Sequence, residues 1–282
     1  MSPSSLAVIG LGAIGGSVAW QARRAGLKTV VGFSPDTADA EAALEAGALT
    51  AIAPSPEGAV RGVDLTVIAA PPSVTLELLD RLAPLIPAGA VITDVASVKA
   101  PVIARALRAG LAGRFAGGHP LAGTHASGWG AARADRFRDC VVYITPTGPL
   151  PGDEAAAVVS RFWSEVMQAR PILMAAEAHD RQLAWTSHLP QAVAYALAST
   201  LAARGLEPDA FGPGARSTTR LAASRPDLWV DIFLQNKDAV LAALDAAAGD
   251  LGALREALAQ GDEARLRLLL STASRFRESL DA

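Results

Sequence analysis

The chain reads as an α/β protein in which a doubly wound, mostly parallel sheet is followed by an all-α domain. Three observations predict this. Strand and helix patterns alternate through about residue 172, a Gly10-x-Gly12-x-x-Gly15 loop joins the first strand to the first helix, and from Ala175 onward apolar residues recur only at helical spacing. In order, residues 6–9 form a short apolar strand, 17–25 a helix closed by Gly26, and 29–32 a second strand, which together make one strand-helix-strand unit. The alternation continues with a helix at 41–46, a buried strand at 64–70, a helix at 74–83, a strand at 91–95 and a helix at 101–109. Further strands are expected at 114–118, 140–145 and 170–173, with a helix over 153–168 between the last two. The first domain is placed at residues 1–172 and the helical domain at 173–282. The helical domain opens with a long helix, 177–204, in which Pro190 should introduce a kink and which can act as an interdomain spine. Leu241, Leu244, Leu251, Leu254 and Leu258 form a stripe read as core or dimer contact.

Composition narrows the function classes. With 282 residues, 51% apolar and 19% charged, the chain can bury a sizeable core and is not a disordered sequence. The net charge of -3 and the absence of a basic cluster interleaved with aromatics argue against nucleic-acid and anionic-membrane partners and leave a small molecule. Cys140, the single cysteine, cannot form an internal disulfide and sits in a strand-like run, so it reads as a small buried thiol in a reducing compartment. The N-terminus has no basic segment, and the apolar run over 6–20 is too short and too glycine-rich to span a bilayer, so a cytoplasmic protein is expected.

The glycine loop is informative because of its setting. It follows a strand and opens a helix, which is the context of a Rossmann-type dinucleotide cradle. Gly10 permits the tight turn, Gly12 lets the backbone approach a pyrophosphate, and Gly15 allows close helix packing. Leu11, Ala13 and Ile14 complete the cradle, and Ala70-Pro71 line the same sheet edge. At the end of the second strand, where NAD enzymes place an acidic residue, stands Ser34, with Asp36 two residues on. This removes a repulsion toward a 2′-phosphate and tilts the expected cofactor to NADP over NAD, although no arginine follows nearby. No metal site is expected.

About a hundred residues later comes Gly118-His119-Pro120-Leu121-Ala122-Gly123-Thr124-His125. His119 is placed on a loop at the carboxyl edge of the sheet and is the candidate general base, since oxidising an alcohol requires a group that takes the hydroxyl proton as hydride leaves. Asp94-x-x-Ser97-Val98-Lys99 also follows a strand. Ser97 can donate to a substrate hydroxyl and Lys99 can steer anions, or the segment can cap the next helix. His188 and Gln191 share a helix face, whereas His179 and His188, nine apart, should lie on opposite sides. Arg220 is either a surface charge or a bidentate carboxylate clamp.

As an ordered set these motifs resemble the prephenate and arogenate (cyclohexadienyl) dehydrogenase family over essentially the whole chain. The matching segments are Gly10 to Gly15, Asp94-x-x-Ser97-Val-Lys99, His119-Pro-Leu-Ala-Gly123-Thr124, His179-Asp180, Ser187-His188-Leu-Pro190, and Arg220 through Pro226-x-x-Trp229 to Asn236-Lys237. The resemblance implies NAD(P)-dependent oxidative decarboxylation, either of prephenate to 4-hydroxyphenylpyruvate or of arogenate to tyrosine, by a dimer joined through the helical domain. It implies His119 as base, Ser97 orienting the hydroxyl, Arg220 on a substrate carboxylate, His188 lining the pocket, and Trp229 closing it, from either subunit. Two departures bear on the substrate. Gln191 stands where many members carry a second histidine, and His125 stands where many carry glutamate. A glutamate could pair with the amine of arogenate and a histidine could not, so prephenate is favoured. The weighed rivals are a 3-hydroxyacid dehydrogenase, which needs a lysine on the spine helix where none exists, a non-catalytic NAD(P)-binding sensor, and an amino-prephenate dehydrogenase.

Overall fold

The computed structural model describes residues 3–123, 126–148 and 152–280. Eight strands form one sheet in the order β3-β2-β1-β4-β5-β6-β7-β8. They are β1 (Ser5–Ile9), β2 (Thr29–Phe33), β3 (Ala51–Ile52), β4 (Leu65–Ile68), β5 (Val91–Asp94), β6 (Phe115–Pro120), β7 (Val141–Pro146) and β8 (Arg170–Leu173). All pairings are parallel except β6 with β7, where the sheet reverses direction. Helices α1 (Ala13–Arg24), α2 (Thr37–Glu45), α3 (Pro56–Ala59), α4 (Pro72–Leu82), α5 (Ala100–Arg108) and α6 (Glu154–Arg161) connect them. Strand β1 shows why the apolar runs are strands: Leu6, Ala7, Val8 and Ile9 are all buried, and alternate side chains feed two separate cores. Leu6 and Val8 join Val18, Val67 and Trp163 in one core, while Ala7 and Ile9 join Leu79, Ile92 and Phe115 in the other. Strand β3 and helix α3 are additions to the sequence expectation, too short to leave a periodic pattern.

After Leu173 the chain is helical: α7 (Ala176–Leu183), α8 (Leu189–Ala202), α9 (Pro213–Thr219), α10 (Pro226–Gln235), α11 (Lys237–Gln260) and α12 (Glu263–Ser279). The expected long helix over 177–204 runs without a break from Ala176 to Ala202, and a π-helical segment, Ala184–His188, joins α7 to α8 just before Pro190.

Two aspartates of the helical half dock on helix N-termini of the sheet half. Asp180 accepts hydrogen bonds from Lys99 N (2.7 Å) and Ala100 N (2.8 Å) at the start of α5. Asp231 accepts from Ser73 N (2.8 Å) at the start of α4. Neither α4 nor α5 has a side-chain cap of its own, so these carboxylates meet otherwise unpaired N–H groups and the positive ends of two helices. Among the described residues no helix is long and apolar enough to cross a membrane.

Candidate active site

The glycine loop lies at the carboxyl end of β1, where the strand order reverses between β1 and β4. Gly10 has φ +98°, and a Cβ there would lie 2.3 Å from the Ala69 carbonyl oxygen; a Cβ on Gly15 would lie 1.9 Å from the Gly10 carbonyl oxygen. A Cβ on Gly12 would meet only Gly128 N, at 3.9 Å, and Gly12 begins α1 without a side-chain cap. Leu11 is buried in the core and Ala13 is buried too, so the loop offers backbone N–H groups rather than side chains, which fits a pyrophosphate. Ala70 and Pro71 lead into α4 at the same edge. At the end of β2, Ser34 Oγ accepts from Asp36 N (3.2 Å), and the Asp36 carboxylate turns to Ala38 N (3.0 Å) to cap α2. A cover not expected from sequence crosses this cradle. Trp129 N donates to Asp39 (2.8 Å), its ring packs on Trp20 (centroids 5.3 Å apart), and Arg136 bonds both Ser17 Oγ (2.9 Å) and the Ala122 carbonyl (3.2 Å).

His119 is not on a loop. It belongs to β6, paired with Tyr143 of β7, and is buried; the antiparallel partner extends the ladder past the point where a parallel sheet would let the chain leave. The backbone before it is anchored from two sides. Asp94 accepts from Gly118 N (3.1 Å) and Ala96 N (2.9 Å), and Lys99 Nζ donates to the Gly118 carbonyl (2.7 Å) and to Asp94. Lys99 is wholly buried in this pair and cannot steer anions in solution, which corrects the expectation for it. Burial holds its ammonium below the usual lysine range against the pull of Asp94. Nor does the Asp94–Lys99 segment cap α5 by a side chain; Asp180 does so from the helical half. Ser97 lies between Asp94 and Lys99, half-buried.

The His119 ring meets His179 of α7, with Nδ1 2.8 Å from His179 Nε2, and His179 Nδ1 lies 2.7 Å from Asp180 Oδ1. Tyr143 stands edge-on to His179, its hydroxyl accepting from Gln182 (2.6 Å). Burial first, then the neighbouring His179, Lys99 and His188, hold the His119 imidazole well below its ordinary value, so it is neutral at pH 7 and able to accept a proton. His188 is also buried, and burial pushes it down to about 4. Its Nδ1 faces Asn236 Nδ2 (3.2 Å), which also donates to the Asp180 carbonyl (2.8 Å), and its buried Nε2 has no partner among the described residues.

His179 and His188 do not point to opposite sides as their spacing suggests. The i→i+5 turns between them advance the chain less per residue than an α-helix does, so His188 returns toward His179, and Asn236 ties the two regions together. Gln191 is buried and donates to the Leu221 carbonyl (2.7 Å), holding the segment that begins with Arg220, itself exposed. Trp229 packs edge-on against His188 of its own chain, centroids 6.1 Å apart. Thr124 and His125 fall outside the described residues. No site role for His179, Asp180, Asp94 or Asn236 follows from the sequence; all four appear there as members of the resemblance's motifs.

A dinucleotide cradle at the switch point of a doubly wound sheet, with a buried neutral histidine at the same edge, defines a nicotinamide-dependent oxidoreductase. The family model "Prephenate dehydrogenase, nucleotide-binding domain" matches residues 18–172, and "Prephenate dehydrogenase, dimerization domain" matches residues 175–272. The chain belongs to the prephenate dehydrogenase family. It is 36% identical over 269 residues to the cyclohexadienyl dehydrogenase of Zymomonas mobilis, covering 91% of this chain and 89% of that one. Its fold is similar to the crystal structure of prephenate dehydrogenase from A. aeolicus in complex with hydroxyphenyl propionate and NAD+, at a TM-score of 0.89 and 29% identity over 99% of this chain and 98% of that one. It is also similar to Synechocystis arogenate dehydrogenase, at a TM-score of 0.80 and 27% identity over 98% and 99% of the two chains.

Proposed function

We propose that the chain oxidises prephenate to 4-hydroxyphenylpyruvate with loss of CO2, in tyrosine biosynthesis. Residues 1–172 hold the dinucleotide, and residues 173–282 carry substrate contacts and join two subunits. The observation that carries this reading is His119, buried on the edge where the glycine loop opens, with burial holding its imidazole below the ordinary value. His119 takes the ring hydroxyl proton at Nε2, with Ser97 orienting that hydroxyl. A bound oxidised nicotinamide supplies the hydride acceptor. Loss of CO2 leaves its bonding electron pair to the ring, which becomes aromatic, and the proton held by His119 returns to the phenolate oxygen.

Arg220 clamps a substrate carboxylate, and His188 donates from Nε2 to a substrate oxygen, because Asn236 occupies its Nδ1 as a donor. Gln191 keeps the Arg220 segment in place. Prephenate is favoured over arogenate because both carboxylates beside His119 are engaged within the protein: Asp94 by Lys99 and two backbone N–H groups, Asp180 by His179 and two more. Among the described site residues no carboxylate is left for an ammonium. NADP is favoured because Asp36 and Asp39, near the end of β2, are both taken up by backbone N–H groups. The homodimer reading is supported by exposed Leu251, Leu258, Leu268, Leu270 and Phe276 on α11 and α12.

The test is absorbance at 340 nm with prephenate or arogenate, each combined with NAD+ and NADP+. Prephenate with NADP+ is expected to be fastest, arogenate turnover alone would overturn the substrate assignment, and silence in all four with cofactor bound would favour an amino-prephenate or non-catalytic role. Arg220→Ala is expected to raise KM for prephenate tenfold or more, on the order of one lost charge-assisted hydrogen-bond pair, with kcat less affected. An unchanged KM would remove Arg220 from the site.

A further inference from the structure

We infer that His179 and Asp180 are positioning residues that set the proton-accepting state of His119, so that docking of the helical half prepares the base. The inference rests on the assignment of His119 as that base.

Burial favours a neutral His179, and with both rings neutral the hydrogen-bond chain permits one consistent assignment of protons. The Asp180 carboxylate only accepts, so the contact to Oδ1 puts a proton on His179 Nδ1. Neutral His179 then has an acceptor at Nε2, and the 2.8 Å contact puts a proton on His119 Nδ1. His119 Nε2 is left as the lone pair, the state a base needs. Without His179 the neutral His119 ring would divide between two tautomers, one of which cannot accept a proton at Nε2.

Asp180 is itself held. Its two oxygens accept from Lys99 N and Ala100 N at the start of α5, and Asn236 fixes its backbone carbonyl. The chain therefore begins on a helix of the sheet half, passes through α7 of the helical half and returns to the sheet at β6. Separating the two halves would release the constraint on the ring.

When His119 holds the substrate proton at Nε2, its Nδ1 proton can shift to His179 Nε2, and the His179 Nδ1 proton toward Asp180. No proton is gained or lost, and the positive charge spreads over two buried rings facing one carboxylate. Because the phenolate oxygen takes the proton back, the chain acts as a temporary store. The titratable and charged groups acting on His119 are His179, Lys99 and His188, and those acting on His179 are Asp180, Lys99 and Asp94. His179 lowers the affinity of His119 for a proton, so its removal should raise it.

Two His179 substitutions and one spectrum test this. In His179→Gln the amide oxygen can still accept from His119 Nδ1 and the amide nitrogen can still donate to Asp180, so kcat should fall only about tenfold. In His179→Leu the acceptor is gone, and kcat should fall about a hundredfold or more with KM and dinucleotide affinity within about threefold. In both, the acid limb of the kcat/KM profile should move to higher pH. Independently of activity, the 15N spectrum of the unsubstituted protein should show His119 Nδ1 protonated and Nε2 bare, which keeps the inference testable if His179→Leu does not fold. The reverse assignment overturns it. So does wild-type kcat with an unmoved acid limb in His179→Leu while His119→Gln is inactive. If His119→Gln is itself active, the assignment of the base fails first.

Discussion

His119→Gln is expected to lower kcat by about a hundredfold or more, with KM for prephenate and affinity for the dinucleotide near wild type. Glutamine nearly matches the reach of the imidazole and can keep a polar contact with His179, but it cannot take a proton at neutral pH. The loss therefore reports general-base catalysis rather than a collapsed pocket. The effect should be large because burial, then His179, Lys99 and His188, hold the imidazole below its ordinary value and favour the neutral form that a base needs. Initial rates at 340 nm with both substrates varied measure the effect. A rate within a few-fold of wild type would place the base elsewhere.

The second large effect is on stability. Asp94→Ala leaves the Lys99 ammonium wholly buried with the Gly118 carbonyl as its remaining acceptor, and removing one partner of a buried ion pair costs about 3–5 kcal/mol. The same change frees Gly118 N and Ala96 N, which Asp94 accepts from on either side of the pair. Combining it with Lys99→Met removes the stranded charge while keeping the apolar stem, and should recover more than half of the loss. Denaturant unfolding of the single and double variants measures both steps. An Asp94→Ala protein as stable as wild type, or a double variant no better than the single, would mean that the pair is not what Lys99 depends on.

The parts of the molecule written in local pattern were legible in the sequence. The apolar runs of β1, β4 and β5 announce strands buried on both faces, and the glycine spacing announces the turn because no Cβ fits at Gly10 or Gly15. What depended on partners distant in sequence was not legible. Lys99 looks like a mobile surface cation until Asp94 and Gly118 are brought around it. His119 looks like a loop residue because Pro120 follows it, yet antiparallel β7 carries the ladder through that position. Helical spacing misplaces His179 relative to His188 because it assumes a regular helix, and the π-helical segment before Pro190 alters the count. The role of His179 in turn depends on a contact spanning 60 residues, which no spacing rule reaches.

The aspartate contacts of Asp180 and Asp231 have a consequence for how this architecture can be recombined. Both carboxylates come from the helical half, and what they recognise on the other half is main-chain N–H at the first turns of α4 and α5 rather than any side chain. A main-chain N–H is present whatever the side chain unless it is proline, so these two contacts depend on where α4 and α5 begin rather than on which side chains they carry. A helical half with aspartates at these two positions would meet the same two anchor points on this sheet half.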